Sequence, residues 1–339
     1  MSLRWWFELA TLPFSVGGAG VALFFVVSGY CIHRSQRAYP VGLFPIFPYL
    51  RRRGVRIYPV LVAAMGLTWL LDSLVLHRIP TDPKLGDHSL VSFLGNLTAL
   101  QGLSVPPYGS NGPLWSIAVE LQLYVVYIAL AAILRRWGVF ALLGISLITT
   151  IVCQITLAYL AFDYVFFGPY LFTWSVGVAI AHKQPEMRAP RPSLHKAALI
   201  CGAVLLAPGL ALLHRHYTFL AWDVLGVAFG LLVSQAVMAN KSAVFRTYIA
   251  RTCAMVGGFS YSLYAIHLPL LVFIRAYWLN GHPSTRIEVA FLGSLICVAA
   301  AWLFYLLFER WSAQPSKFGR FNDRRDLSLP TEQTTSGAR

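Results

Sequence analysis

Between Glu288 and Glu309 the chain reads VAFLGSLICVAAAWLFYLLF, with no charge to interrupt it. A helix of about 20 apolar residues matches the roughly 30 Å hydrocarbon thickness of a bilayer. Eight further stretches have the same character, and the nine predicted spans are 14–33, 55–76, 113–134, 138–160, 165–182, 196–213, 218–238, 258–279 and 287–309. So many apolar helices cannot hide in one water-soluble core. The surface composition agrees: 12% of residues are charged and 57% hydrophobic, against roughly 25% charged in a soluble domain. The predicted fold class is all-α, a polytopic integral membrane bundle of about nine transmembrane helices. Residues 90–101 are apolar but too short to span, which predicts an interfacial or re-entrant segment. No tandem repeat and no separate soluble domain is visible. Residues 1–314 read as one transmembrane domain and 315–339 as a polar, disordered tail carrying Arg320, Asp323, Arg324, Arg325 and Asp326.

The net charge of +14 suggests nucleic acid only until the charges are placed. Alternate loops divide 27 Lys and Arg into 21 on one side and 6 on the other. The richer side contains Arg34, Arg37, Arg135, Arg136, Lys183 and the cluster in YLRRRGVRIYP, residues 49–59. The positive side is cytoplasmic, so the C-terminus is predicted inside and the N-terminus outside. Topology then accounts for most of the charge, and no nucleic-acid partner is expected. The cysteines Cys31, Cys153, Cys201, Cys253 and Cys297 lie in or beside apolar runs without close pairing, which argues against zinc and against a disulfide framework.

Ionisable groups inside spans cost at least about 2.5–3.5 kcal/mol near the centre and mark candidate sites. Glu120, in GPLWSIAVELQLYVVY, shares a helix face with Ser116 four residues earlier, flanked by Trp115 and Tyr124. It either binds a polar substrate or locks helices through an arginine or hydroxyl. His267, in GGFSYSLYAIHLPLL, follows Tyr261 and Tyr264 on nearly one face. It is open between a site residue and a histidine bonded to a neighbouring helix. Glu309 and Arg310 predict an interfacial ion pair, and Gly226 and Gly230 predict close helix packing.

The cluster Arg51, Arg52, Arg53 and Arg56 sits at the start of the second predicted span. Interfacial arginines orient helices and touch anionic lipid. Arg53 and Arg56, three apart on a helix, also offer two planar forks of donors suited to a phosphate or pyrophosphate. Spacing alone leaves both readings open.

Five segments occur in a telling order: GGAGVALFFVVSGYCI, YLRRRGVRIYPV, GPLWSIAVELQLYVVY, FSYSLYAIHLPL and YLLFERW. Together, over about residues 16 to 312, they resemble the membrane acyltransferase-3 family. The resemblance implies an inner-membrane bundle of ten core helices that moves acyl groups, often acetyl, from a cytoplasmic thioester such as acetyl-CoA. Acceptors would be hydroxyls of cell-envelope carbohydrates, lipids or small molecules. It implies no bound cofactor, with acyl-CoA as co-substrate and membrane lipids as surroundings. Arg53 and Arg56 match the family's RxxR pair, thought to engage the donor. Trp115, Ser116 and Glu120 match the W-S-x-x-x-E stretch lining its cavity, and His267 matches the histidine of the S-Y-x-x-Y-x-x-H-like segment.

One element of the family pattern is missing. Its first helix carries a basic residue and, eleven positions on, a histidine regarded as the catalytic base. Here Arg4 is followed at that distance by Ser15. The family's second helix begins at about residue 17, which agrees with nine spans and an outside N-terminus. The expectation is therefore a start site placed too late or an inactive form. His33, at the other end of the following helix, is the substitute base the sequence offers. A transporter or flippase of a polar lipid-linked molecule is the rival function, weakened by the lack of internal symmetry. The long loop 77–112, with Pro106, Pro107, Gly109 and Gly112, is a candidate gate for the acceptor.

Overall fold

The computed structural model describes residues 17–36, 45–160, 165–184, 192–215, 217–239, 248–282 and 286–313. The predicted tail, Arg4 and Ser15 lie outside the described residues. The helices are α1 (Gly17–Gln36), α2 (Ile46–Arg78), α3 (Leu90–Leu97), α4 (Trp115–Leu160), α5 (Leu171–Lys183), α6 (Pro192–His214), α7 (Thr218–Ala239), α8 (Tyr248–Trp278) and α9 (Ile287–Phe304). The chain continues from α9 through a π-helical turn, Tyr305–Glu309, into α10 (Arg310–Ala313). Among the described residues six helical stretches are long and apolar enough to cross a membrane. The protein is thus an all-α, multi-pass membrane bundle.

α4 contains two of the predicted spans. Gly138 breaks it with φ 80° and ψ −177°, a conformation open to glycine. Beyond the break Ser146 bonds Ser175, Thr150 bonds Gly168 and Phe172, and Gln154 bonds Pro169. Partner numbers fall as α4 advances, so its second half runs antiparallel to α5. The predicted start of the fifth span at 165 is early, because residues 168–170 form a 3-10 turn before α5. The predicted start at 258 is late, since α8 begins at Tyr248. The apolar stretch from residue 90 is the eight-residue α3, too short to span. Its Leu90, Val91 and Leu94 are exposed, as an interfacial segment requires.

Cross-helix bonds give direction. Tyr49 bonds Tyr124, and Asn111 near the start of α4 bonds Thr68, so α2 and the first half of α4 are antiparallel. α1 packs along α5, with Trp174 against Ser28 and His182 against His33. Two glycines bring α1 and α5 into backbone contact. A Cβ on Gly177 would lie 1.9 Å from the Val26 carbonyl oxygen, and one on Gly29 would lie 2.1 Å from that of Trp174. α7 meets α5 through the predicted small-residue stripe: Gly226 abuts Thr173 and Gly230 abuts Val176. Small residues set such close approaches in membranes, where dispersion replaces the hydrophobic drive.

The Gly29–Gly177 crossing therefore predicts a sharp asymmetry. Gly177→Ala or Gly29→Ala must push two backbones apart and should destabilise the bundle by about 1–3 kcal/mol or more. Gly20→Ala on α1 meets nothing within 4 Å and should leave stability unchanged. Unfolding midpoints of the purified protein in detergent decide the comparison.

Candidate functional site

Arg53 and Arg56 lie one turn apart near the start of α2. Arg53 is half-buried. Its Nη2 donates to Ser35 Oγ at 2.7 Å, and its guanidinium carbon stands 5.7 Å from the Tyr49 ring centroid and 5.9 Å from that of Tyr124. Arginine over an aromatic face is held by the ring quadrupole. Its Nε is buried without a hydrogen-bond partner. Arg56 is exposed. Among the described residues neither arginine pairs with a carboxylate: the ion pairs there are His88–Asp72 and Arg275–Asp82. Of the rest of the cluster, Arg52 reaches Gln36 at 3.4 Å.

Glu120 is 5% exposed and inside the bundle. Its Oε1 accepts from Ser28 Oγ at 2.9 Å and, in a very short contact, from the Tyr124 hydroxyl. Ser28 Oγ in turn accepts from Trp174 Nε1 at 3.3 Å. A single carboxylate oxygen thus ties α1, α4 and, through Trp174, α5. Glu120 stands next to Tyr124, over whose ring the Arg53 guanidinium lies, so the carboxylate and that arginine share one aromatic neighbour.

His33 is buried beside this cluster. Its Nδ1 meets the Tyr127 hydroxyl at 2.9 Å and its Nε2 meets His182 Nδ1 at 3.3 Å. Both ring nitrogens are therefore engaged, which does not suit a substitute base. Tyr127, His182 and Trp174 are members of the site that sequence spacing does not reveal, because Tyr127 on α4 and His182 and Trp174 on α5 meet Ser28 and His33 of α1 only in the folded bundle. Ser28, a hydroxyl inside an apolar run, is the one sequence signal for them. Among the described residues no group of three or more metal-ligating side chains converges.

Ser116, one turn before Glu120, belongs to a second polar group. Its Oγ donates to the Tyr264 hydroxyl at 2.8 Å, and Tyr264 donates to the Pro113 carbonyl at 2.8 Å. His267 lies one turn beyond, its ring 5.7 Å from that of Tyr264. Trp115 packs elsewhere, with Phe25, Tyr170 and Trp222 at 6.4, 5.4 and 5.9 Å between centroids. α8 owes its grip on this group to Pro269. Proline has no N–H for the carbonyl four residues earlier, and that carbonyl, Ala265 O, instead accepts from Asn111 Nδ2 at 2.8 Å. The same nitrogen donates to Thr68 Oγ1 at 3.0 Å. The proline thus fastens the segment before α4 and with it Ser116.

One expectation changes. Glu309 does not pair with Arg310. Its carboxylate is buried and accepts from the Ser262 backbone N–H at 3.1 Å and Oγ at 2.5 Å, because the π-helical turn carries it to the α8 side. The loop 77–112 is fastened at its far end by Asp72, an intramembrane carboxylate the sequence motifs pass over. Asp72 accepts from Ser110 N at 2.7 Å, Ser110 Oγ at 2.6 Å and His88 Nε2 at 2.7 Å. Outside the spans, Asp87 anchors the same loop through Ser89, whose hydrogen bonds hold its carboxyl below the usual range.

Comparison with known proteins places this geometry. The chain is similar to O-acetyltransferase OatA of Staphylococcus aureus strain NCTC 8325 / PS 47 and of strain COL, each 22% identical over 342 residues, 91% of this chain and 56% of the relative. The same-named protein of strain MRSA252 is 22% identical over 293 residues, 79% of this chain and 48% of the relative. The chain spans about half the length of the curated relatives it matches. No solved structure matches. The acyltransferase domain model of the acyltransferase-3 family matches residues 2–306, nearly the whole chain, and the protein belongs to that family.

Proposed function

We propose that this protein transfers an acyl group, acetyl in the first instance, from acyl-CoA to a hydroxyl of a carbohydrate or lipid-linked envelope acceptor. Family membership supports acyl transfer, and the name of the Staphylococcus aureus relatives supports O-acetylation. The observation that carries the donor half is the pair Arg53 and Arg56, two guanidiniums one turn apart that no carboxylate neutralises among the described residues. The exposed Arg56 and the buried, unbonded Nε of Arg53 suit the phosphates of a coenzyme A thioester. On the predicted topology these arginines face the cytoplasm, where acyl-CoA is made, with the C-terminus on the same side and the protein in the inner membrane.

The acceptor hydroxyl would lie deeper, along the Ser116–Tyr264–His267 group, with Glu120 between it and the arginines. There the hydroxyl oxygen would bond to the thioester carbonyl carbon as its O–H bond breaks, the C–S bond would break, and the proton would leave on the thiolate as free coenzyme A. Trp115 supports this lining from its aromatic cluster.

Two measurements test the reading. Arg53→Ala and Arg56→Ala should each weaken acetyl-CoA binding about 10–100-fold, the loss of a charge-assisted hydrogen bond of roughly 1.5–3 kcal/mol. Isothermal titration with the full chain reads this directly, and unchanged affinity in both variants would sink the donor assignment. Glu120→Gln keeps the shape but removes the charge. It should lower acetyl transfer about tenfold or more while leaving the protein folded, whereas Glu120→Ala should also destabilise it, since Ser28 and Tyr124 lose their buried acceptor. A Glu120→Gln variant of wild-type rate would make that carboxylate purely a helix tie.

A further inference from the structure

α2 turns one apolar stripe out of the bundle, and part of that stripe is hollow. Gly54, Val55, Tyr58, Pro59 and Val62 line a groove of about 630 Å³ whose far wall is Phe308, in the π-helical turn. The hollow has a cause in the sequence. Gly54 brings no side chain and Ala63 only a methyl group, so the helix is thin between the groove's rims. Tyr58 forms one rim, tied back by its hydroxyl, which donates to the Leu97 carbonyl at 3.1 Å. Phe308 forms the other. Val55, Tyr58, Val62 and Phe308 are all exposed in the bundle, so this lining is left for the bilayer to fill.

We infer that the groove and the two arginines at its mouth, Arg51 and Arg52, form a discrete site for one anionic phospholipid. At 3.6 residues per turn, Arg51 shares a stripe with Val55, Tyr58 and Val62, and Arg52 shares one with Pro59 and Ala63. Both arginines are exposed, and among the described residues neither pairs with a carboxylate. Arg52 touches Gln36 at 3.4 Å. Arg53 turns elsewhere, to Ser35 of α1, so the arginine cluster divides between two faces of α2. The other wall ends in the same way. Trp311, three residues past Phe308 and 75% exposed, is an aromatic of the kind that sits at headgroup level.

Charge and length together select the occupant. Two arginines at a bilayer surface favour an anionic head over a zwitterionic one, and their planar forks of donors suit its phosphate. Nine residue steps separate Gly54 from Ala63, about 14 Å of helix. That is close to the roughly 15 Å that one leaflet contributes to a 30 Å hydrocarbon core. One acyl chain of a lipid in the leaflet where α2 begins therefore fits the groove from mouth to end. A small water-soluble anion would leave the apolar walls uncovered, and a neutral lipid would leave the arginines unneutralised. The site stands apart from the acyl-transfer reading, which uses Arg53 and Arg56.

The test uses the purified full chain in detergent, titrated with phosphatidylglycerol and, separately, with phosphatidylcholine of the same acyl chains. Native mass spectrometry reads how many lipids bind and how tightly. One phosphatidylglycerol should bind per chain, about tenfold or more tightly than phosphatidylcholine. Arg51→Gln combined with Arg52→Gln should abolish that preference. Val62→Trp fills the groove while keeping both arginines, and should weaken phosphatidylglycerol about tenfold. Leu70→Trp, similarly exposed on α2 but beyond the groove, should leave binding unchanged.

Equal wild-type affinity for the two lipids overturns the inference. So does a Val62→Trp protein that binds phosphatidylglycerol as the wild type does, since the arginines would then act only as surface charge. A wild type that binds no lipid and runs as a dimer until Val62→Trp separates it would give the groove to a second copy, and overturns it too. Should Val62→Trp fail to accumulate, glycerol 1-phosphate decides on the wild type. It carries the head without the chain and should not displace phosphatidylglycerol. Displacement would assign the arginines to a free phosphate and overturn the lipid site.

Discussion

A carboxylate inside a bilayer has to be satisfied by its own protein, and the bundle is organised around one such demand. Glu120 Oε1 collects the hydroxyls of Ser28 and Tyr124, and Ser28 collects the Trp174 indole. Three helices distant in sequence are thereby fixed at one height. Tyr124 then offers its carbonyl to Tyr49 and its ring to Arg53, which brings α2 to the same level. Remove the carboxylate and the buried hydroxyls of Ser28 and Tyr124 lose the acceptor they share, a cost of roughly 1–3 kcal/mol apiece. The local chemistry of the arginine end is inseparable from this tie.

The same demand recurs in α8, in a different form. Pro269 leaves the Ala265 carbonyl without its helical donor, and Asn111 supplies one. Glu309 does the converse for Ser262, accepting from both its backbone and its hydroxyl. Backbone irregularities in the membrane are tolerated where a neighbour restores the lost bond. Here those repairs coincide with the residues that border the Ser116–Tyr264–His267 group, so the site is positioned by the helix's own defects.

Much of the architecture is legible in the sequence because membrane helices announce themselves by length and apolarity. Gly138 separates two spans that residues 113–134 and 138–160 already suggest. Gly226 and Gly230 announce a close packing, but that α5 is the partner appears only in the structure. What sequence cannot show is which single glycine meets a backbone: Gly29 and Gly177 have no motif, yet they make the tightest approach between α1 and α5. Candidate residues were legible as types, through ionisable groups in apolar runs. Their company was not. Glu120 meets Arg53 only through the ring of Tyr124. Asp72 goes unremarked near a span end, and His33 gains significance only once α5 delivers His182. Each of these depends on contacts between helices far apart in the chain, which periodicity within one helix does not encode.

Arg53 and Arg56, paired with no carboxylate among the described residues, carry one more consequence. Acyl-CoA and free coenzyme A bear the same phosphates, so a site that grips those phosphates grips substrate and product alike. Such uniform binding draws in the donor without lowering the barrier to transfer. On the donor role proposed for Arg53 and Arg56, each turnover ends with spent coenzyme still held at the mouth, and its departure competes with chemistry for control of the overall rate. The pace of acylation would then follow the ratio of charged to spent coenzyme, coupling the cell envelope to the acyl supply of the cell interior.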